Sequence, residues 1–246
     1  MNKIIISIEG NIGVGKTTFM DILKRNFNES EIVYEPLKIW ENLIDTDGDN
    51  ILNKFYKDQN RWAYSFQNLA CITRMTMIED TIQNTSAKYI FLDRSLGTDK
   101  HVFEKMLYNS GKISEIEHNM YNMWCDFYYK YIRPEFNNII IYLRCSTETA
   151  INRIKKRGRV EEKDISYDYI NELHKYHEEW LIDDITNNII VIDCDKDFEN
   201  DIEYQEEIIN TIKLKLDNII LKITNKIEID FDDLDTKEPL EFYDII

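Results

Sequence analysis

Five short apolar runs recur along the chain, and each is continuous instead of alternating with polar residues. They are rich in isoleucine, valine and tyrosine, which favour strands. A strand covered by helices on both faces is apolar throughout, so this pattern predicts a buried parallel sheet. The predicted strands are Lys3–Ile8, Glu31–Tyr34, Tyr89–Leu92, Asn138–Leu143 and Asn188–Ile192.

Longer segments with helical character separate these runs. Alternating strands and helices, joined by crossovers of one hand, produce a parallel sheet with helices on both faces. We therefore predict an α/β fold with a five-stranded parallel sheet. The predicted helices are Thr17–Phe27, Asn60–Thr81, Thr98–Tyr108, Ile113–Tyr131, Thr147–Lys156 and Ser166–Ile182.

The 246-residue chain has no obvious internal boundary before its acidic end. We predict one domain over residues 1–223. Residues 224–246 carry eight acidic side chains against two lysines after the last amphipathic helix. We predict a solvated acidic tail there, with a docking strip for a partner subunit as the alternative.

Composition narrows the partners and the location. A net charge of −16 repels nucleic-acid polymers and anionic membranes, so we expect neither as a partner. The four scattered cysteines are typical of a reduced intracellular protein. No run approaches the roughly 18 apolar residues of a membrane span. The first strand begins almost at Met1, which leaves no room for a presequence, so we expect a cytoplasmic protein.

One glycine-rich segment carries the strongest chemical signal. Residues 10–17, here called the phosphate loop, fit the pattern G-x-x-x-x-G-K-[ST] between an apolar strand and a helix. Backbone N–H groups and the helix N-terminus bind phosphate oxygens, the lysine adds a charge, and Thr17 offers a hydroxyl to Mg²⁺. The pattern alone predicts nucleotide binding and does not identify the group that receives the phosphate; together with the residues described next, it predicts a P-loop kinase fold that binds ATP. The predicted ATP-binding residues of this region are Gly10, Asn11, Gly13, Gly15, Lys16, Thr17 and Thr18.

Polar residues at two other strand ends complete a predicted phosphotransferase site. Glu35 ends the second strand, and Asp93 and Arg94 end the third. Strand C-termini of open parallel sheets meet at the ligand crevice. Glu35 is therefore a candidate acceptor of a hydroxyl proton, Asp93 a candidate Mg²⁺ ligand, and Arg94 a cation beside the acceptor oxygen.

A cationic segment lies within this otherwise acidic chain. Residues 153–159 contain five cations in seven positions, and Arg153 and Arg157 share one helix face. Gly158 is expected to end that helix. The segment predicts a lid that closes over ATP, followed by the pair Glu161 and Glu162, which suits sugar hydroxyls.

Taken together, these motifs resemble the deoxynucleoside kinases, a family that includes deoxycytidine, deoxyguanosine and mitochondrial thymidine kinases. The resemblance extends from Ile4 to about Phe198 and depends on separate motifs in the right order. These motifs are Ile8-Glu9-Gly10-Asn11-Ile12-Gly13, Glu35-Pro36 with Trp40, Arg61-Trp62 with Phe66-Gln67, Asp93-Arg94-Ser95 and the arginine lid.

The resemblance implies a role for each matching residue. Glu35 resembles the general base for the 5′-hydroxyl, with Arg94 beside it. Tyr56 and Glu162 resemble the pair that binds the 3′-hydroxyl, and Gln67 resembles the amide that binds the base edge. The aromatic walls of the family's base site are matched in this chain by Trp40, Phe66 and Phe103. On the donor side the matching residues are Arg153, Arg157, Arg159, Asp197 and Phe198, with Arg157 and Phe198 enclosing adenine.

Two positions bear on the choice of base. Arg74 lies two helical turns after Gln67, and Asp99 lies six residues after Asp93. In the family this Arg–Asp combination resembles deoxycytidine and deoxypurine kinases. A carboxylate accepts from the amino group of cytosine or adenine, or from the N–H groups of guanine, but opposes the thymine carbonyl. We expect thymidine to be a poor substrate.

Alternatives remain open from the sequence. A thymidylate-type monophosphate kinase shares the phosphate loop and an Asp-Arg pair, and a non-catalytic nucleotide sensor would need no general base. Many animal family members carry Glu in place of Asp93, which leaves the mode of metal binding open. The resemblance also implies a homodimer packed through helices. His174 and His177 are expected on a helix surface.

Overall fold

In the computed structural model, the structure describes residues 3–133, 139–159, 162, 165–182 and 188–234, the last of these by backbone alone beyond residue 222. Its centre is a five-stranded sheet in the order β2-β3-β1-β4-β5, and every pairing is parallel. The predicted α/β fold is confirmed. The strands are β1 (Ile4–Glu9), β2 (Ser30–Val33), β3 (Tyr89–Asp93), β4 (Ile139–Arg144) and β5 (Ile189–Asp193).

Ten α-helical segments lie among the described residues, and they include two short ones after β2 that the sequence did not predict. The α-helices are α1 (Lys16–Asn26), α2 (Leu37–Asn42), α3 (Ile51–Lys57), α4 (Gln59–Asn84), α5 (Leu96–Thr98), α6 (Lys105–Asn109), α7 (Glu115–Phe127), α8 (Thr147–Arg157), α9 (Tyr167–Leu181) and α10 (Ile202–Leu234). None of the described helices is both long enough and apolar enough to cross a membrane.

Two of the predicted helices are interrupted by wider π-helical turns. Asp99–Glu104 is π-helical between α5 and α6, and Tyr128–Ile132 continues α7 in the same way. Such turns frequently occur at functional sites. The first of them carries Asp99 and Phe103 to the cavity described below.

The core lies on both faces of the sheet. Ile6, Ile8 and Phe91 are fully buried in the central strands, and Phe19 of α1 packs beside them. Burying a side chain of this size contributes roughly 1.5–3 kcal/mol. His177 is also fully buried, with Nδ1 2.6 Å from the Leu173 carbonyl oxygen, so its predicted surface position is wrong.

Local signals explain where α8 begins and ends. The Ser146 hydroxyl accepts a hydrogen bond from the Thr149 N–H at 3.2 Å, which caps the first turn. Gly158 follows the last turn with φ +68°, the left-handed conformation that ends many helices. The predicted stop at Gly158 is therefore confirmed.

The chain end differs from the predicted organisation at one point. The backbone of α10 continues to Leu234, so the first part of the acidic segment 224–246 is helical. Residues 235–246 lie outside the described residues, as does Glu161. The division into residues 1–223 and 224–246 stays a prediction.

Candidate active site

A cavity of about 700 Å³ opens at the carboxyl ends of the central strands. It receives side chains from the phosphate loop, from the segments after β2 and β3, from α4 and from the end of α8. Residues that the sequence assigned to a site and that line it are Gly13, Gly15, Lys16, Thr17, Thr18, Glu35, Trp40, Tyr56, Phe66, Gln67, Asp93, Arg94, Asp99, Phe103, Arg153, Arg157, Arg159, Glu162, Asp197 and Phe198. Gly10, Asn11 and Arg74 lie behind this lining.

Close packing fixes the backbone of the phosphate loop. Gly13 has φ +82°, and a Cβ placed there would overlap the carbonyl oxygen of Ala150 in α8. The Asn11 side chain is turned away from the cavity, because its amide donates to the Ile170 carbonyl oxygen at 2.9 Å. Asn11 therefore attaches the loop to α9, and only its backbone can serve a phosphate.

Lys16 is held inside the loop by two carbonyl groups. Its Nζ donates to the Gly10 and Asn11 carbonyl oxygens, each at 3.1 Å. Burial and the nearby Arg94 guanidinium lower the pKa of Lys16 to about 7, although Asp93 opposes this shift. Among the described residues the ammonium group has no direct counter-ion, and it is placed to gain one from a phosphate.

Glu35 lies between two arginines. Arg94 Nη1 donates to its Oε1 at 2.9 Å, and Arg74 Nη2 approaches the same oxygen at 3.3 Å. Burial opposes ionisation, but Arg94, Arg74 and Lys16 outweigh it and lower the pKa of Glu35 to about 2. The carboxylate is ionised at neutral pH and can accept a hydrogen bond from a substrate hydroxyl.

Arg74 and Asp99 form a buried ion pair behind Glu35. Arg74 Nε donates to Asp99 Oδ2 at 2.8 Å, and the two side chains are 4% and 3% exposed. Arg74 Nη1 also donates to the Asp93 carbonyl oxygen at 2.7 Å. Burial raises the pKa of Asp99, and the Arg74 charge opposes this. Arg74 therefore connects Asp99 to Glu35 through one guanidinium.

Asp93 has the features of a cation ligand. Its Oδ1 is buried without a hydrogen-bond partner among the residues that the structure describes. Burial raises the pKa of this carboxyl, and the charge of Lys16 opposes that rise. The described residues contain no cluster of three histidine, cysteine or carboxylate ligands. This donor set fits Mg²⁺, which keeps several waters and takes one or two protein ligands beside substrate phosphates.

Aromatic rings enclose the inner part of the cavity. Phe66 packs edge-on against Trp40 with centroids 5.2 Å apart and lies 4.8 Å from the Phe55 ring. Gln67, one residue on, is 2% exposed, and its Oε1 has no hydrogen-bond partner within the described chain. A cavity wall of aromatic rings, with an unpartnered amide oxygen beside it among the described residues, suits a nucleobase.

The polar residues predicted for the sugar contact different partners in this structure. Glu162 accepts from Arg157 Nη2 at 2.6 Å, and Arg159 Nη1 lies 3.5 Å from it. Burial and the carboxylates of Glu162 and Glu35 raise the pKa of Tyr56 to about 12. Tyr56 and Glu162 both line the cavity.

The donor side also differs in its contacts from the predicted adenine site. Arg153, and not Arg157, stands over the Phe198 ring, with its guanidinium carbon 5.5 Å from the centroid. Phe198 is 3% exposed and packs edge-on against Phe19. Asp197 caps the following turn through the Glu199 N–H at 3.1 Å. The enclosure of adenine by Arg157 and Phe198 stays a prediction.

Sequence reasoning missed several residues of the site. Phe55, Leu52, Ala70 and Tyr169 line the cavity, but no motif or periodic pattern marks them in advance. Glu9 belongs to one of the family-like motifs but receives no role from the sequence, although its buried carboxylate contacts the turn after Arg94. Its position at a strand end before the phosphate loop was the signal available.

Comparisons of the sequence with known proteins identify its family. The sequence model of the family described as deoxynucleoside kinase matches residues 6–217. Deoxycytidine kinase 2 of Gallus gallus is 34% identical over 234 residues, covering 85% of this chain and 88% of the relative. The mitochondrial deoxyguanosine kinase of Xenopus laevis is 32% identical, covering 85% and 88%. A probable deoxycytidine kinase of fowlpox virus is 37% identical, covering 84% and 86%.

The chain belongs to the deoxynucleoside kinase family. It is an ATP-dependent kinase that acts on deoxynucleosides in nucleotide salvage, as the sequence predicted.

Proposed function

We propose that the enzyme phosphorylates the 5′-hydroxyl of deoxycytidine or a purine deoxynucleoside in preference to thymidine. The Arg74–Asp99 pair carries this proposal, because Asp99 lines the cavity with an acceptor carboxylate held at 2.8 Å by Arg74. The unpartnered Gln67 Oε1 offers a second acceptor. Two acceptors suit bases that present amino or ring N–H donors, whereas the thymine O4 would face a carboxylate unpaired.

Glu35 and Arg94 supply the catalytic groups in this proposal. Glu35 accepts a hydrogen bond from the 5′-hydroxyl and takes its proton as the oxygen bonds to the γ-phosphorus of ATP. The bond from that phosphorus to the β-phosphate oxygen breaks in the same step and releases ADP. A pKa of about 2 makes it a weak base, which suffices because a loose transition state releases the proton late. Arg94 stabilises the negative charge on the oxygens of the phosphoryl group as it passes from ATP to the 5′-hydroxyl.

Lys16 and the phosphate-loop N–H groups bind the donor phosphates of ATP in this proposal. Thr17 and Asp93 would hold Mg²⁺, which would supply positive charge to neutralise the donor phosphates. The assignment is supported by Asp93 Oδ1, which has no hydrogen-bond partner among the described residues, and by the exposure of residue Thr17. Arg153, Arg157 and Arg159 bind the remaining phosphate charge.

The test of base preference exchanges the pair as a unit. Arg74→Met with Asp99→Ala should raise the ratio of thymidine to deoxycytidine kcat/KM by about tenfold or more, since one mismatched buried polar group costs 1–3 kcal/mol. Absolute kcat should fall because Arg74 also contacts Glu35. The control Lys105→Met with Glu179→Ala removes an exposed ion pair and should leave the ratio unchanged. An unchanged ratio in the Arg74 and Asp99 variant contradicts the proposal.

We also propose a homodimer formed through one face of α7. Ile116, Met120, Met123 and Phe127 recur at helical spacing and are 74%, 46%, 71% and 48% exposed. An apolar stripe of this kind is typical of an interface between subunits. Met123→Glu should convert a dimer to a monomer in analytical ultracentrifugation, whereas Leu214→Glu on α10 should not. A monomeric wild-type protein contradicts this proposal.

A cytoplasmic location is proposed as well. All four cysteines are free and buried, as in proteins of reducing compartments. Fractionation of the producing cells should recover the kinase activity with cytoplasmic markers. Recovery with an organelle would contradict this location.

A further inference from the structure

Glu9 is a buried carboxylate that does not line the cavity. It is the last residue of β1, directly before the phosphate loop, and is fully buried. Its Oε1 accepts from the Ser95 N–H at 2.9 Å and from the Ser95 hydroxyl at 2.6 Å. Its Oε2 accepts from the Thr98 hydroxyl. All three donors belong to the turn that follows Arg94.

The neighbours of Glu9 in the chain hold the same turn. The Ile8 carbonyl oxygen accepts from the Arg94 N–H at 3.1 Å. The Gly10 carbonyl oxygen lies 3.5 Å from Arg94 Nη2 and 3.1 Å from Lys16 Nζ. The last two residues of β1 and the first residue of the phosphate loop therefore bind Arg94 or Ser95, and Gly10 also binds Lys16.

The backbone of this turn is strained at Arg94. Arg94 has φ +67°, a left-handed conformation that costs roughly 1–3 kcal/mol and persists only where surrounding contacts enforce it. This conformation directs the Arg94 guanidinium to Glu35 at 2.9 Å. Releasing the turn would let the backbone relax and the guanidinium move away from Glu35.

The charge of Glu9 requires its hydrogen bonds. A carboxylate removed from water is costly unless donors replace the lost hydration. Burial raises the pKa of Glu9, while the hydrogen bonds from Ser95 and Thr98 oppose that shift. A buried carboxylate that accepts hydrogen bonds from Ser95 and Thr98, both in one turn, is better explained by that turn than by packing.

We propose that Glu9 is a positioning residue for phosphoryl transfer. It joins the strand that carries the phosphate loop to the turn that carries Arg94, and so fixes the acceptor groups relative to the donor phosphates. Glu9 acts through Arg94 and Glu35, so this role rests on the function proposed for those two residues.

The test separates kcat from KM. Glu9→Ala should lower kcat by about tenfold to a hundredfold, the cost of a displacement near 1 Å, while KM for ATP and deoxycytidine changes by less than about threefold. Thr98→Val keeps two of the three hydrogen bonds and should cause a smaller loss of the same kind. If Glu9→Ala does not fold, Thr98→Val alone decides, and an unchanged kcat overturns the proposal.

A matched control separates positioning from general destabilisation. Glu178→Gln alters another carboxylate with several donors, from Tyr142 and Arg144, and none of these three residues lines the cavity. It should lower stability without lowering kcat. A fall in kcat that matches the Glu9 variants would overturn the proposal, because it would attribute their loss to stability.

The same assay in an Arg94→Ala background tests the dependence on Arg94. Glu9→Ala should have almost no further effect there, because the group it positions is gone. If the losses of kcat caused by Glu9→Ala and Arg94→Ala multiply in the double variant, the role of Glu9 is overturned and the proposed function stays intact. Full turnover by Arg94→Ala alone would instead refute the proposed function of Arg94.

Discussion

Asp99→Ala would leave the Arg74 guanidinium buried without its main counter-ion. Both side chains are less than 5% exposed, so water cannot replace the lost partner. Removing one member of a buried ion pair typically costs about 3–5 kcal/mol. Arg74 keeps Glu35 at 3.3 Å and the Asp93 carbonyl oxygen at 2.7 Å, which places the expected loss at about 3 kcal/mol.

Removing both members should cost far less than the two single changes combined. Arg74→Met fills the space with apolar atoms, and Asp99→Ala then leaves no uncompensated charge in the pair. The double variant should lose no more unfolding free energy than the worse single variant, a coupling of about 2–3 kcal/mol. Urea unfolding of the four proteins at pH 7.5 measures this coupling.

An exposed pair supplies the reference for this cycle. Lys105 and Glu179 lie 3.3 Å apart with side chains 44% and 54% exposed, and their coupling should be below about 1 kcal/mol. Additive losses for Arg74 and Asp99, or a coupling equal to that of the exposed pair, would refute the assignment of a buried ion pair.

The pH dependence of Arg74→Met follows from the same contacts. Burial already raises the pKa of Asp99, and removing the Arg74 charge should raise it further. When the folded-state pKa of a carboxyl lies above its unfolded-state pKa, its contribution to the unfolding free energy is fully present below about pH 3.9. That contribution is lost as the pH rises through the folded-state pKa. The deficit of Arg74→Met should therefore shrink between pH 7.5 and pH 5, whereas that of Asp99→Ala should not.

Three further changes test other parts of the account. Glu35→Gln should lower kcat by about 10²- to 10⁴-fold with little change in KM, and near-normal turnover would exclude Glu35 as the base. Gly13→Ala should lower the unfolding free energy by about 1–3 kcal/mol more than Gly48→Ala, which has a similar φ but open space; equal losses would contradict the close packing. Gln67→Leu should raise KM for deoxycytidine about tenfold but leave KM for ATP unchanged. A raised KM for ATP with an unchanged KM for deoxycytidine would contradict the placement of Gln67 at the base.

The sequence predicted the parts of the site that depend on local order. The phosphate loop follows a strand and precedes a helix, so its structure is specified by adjacent residues. Glu35 and Asp93 could be placed because they end buried strands, and the carboxyl ends of parallel strands meet at one edge.

Parts that depend on contacts distant in sequence could not be predicted. Phe55 lies on a seven-residue helix that is too short to show a period, yet it packs against Phe66. The π-helical turn at Asp99–Glu104 has no sequence signature and is stabilised by packing on neighbouring helices. The pairing of Arg157 with Glu162 depends on two charged side chains whose choice of partner no motif specifies.

Base preference is the claim on which most of the site assignment depends. One panel measures kcat/KM for deoxycytidine, deoxyadenosine, deoxyguanosine and thymidine, with ATP and Mg²⁺ held constant and the 5′-monophosphate products identified. At least one of the first three should exceed thymidine by about tenfold or more, because Asp99 and Gln67 present acceptors to the base. Equal or greater efficiency with thymidine would contradict the account.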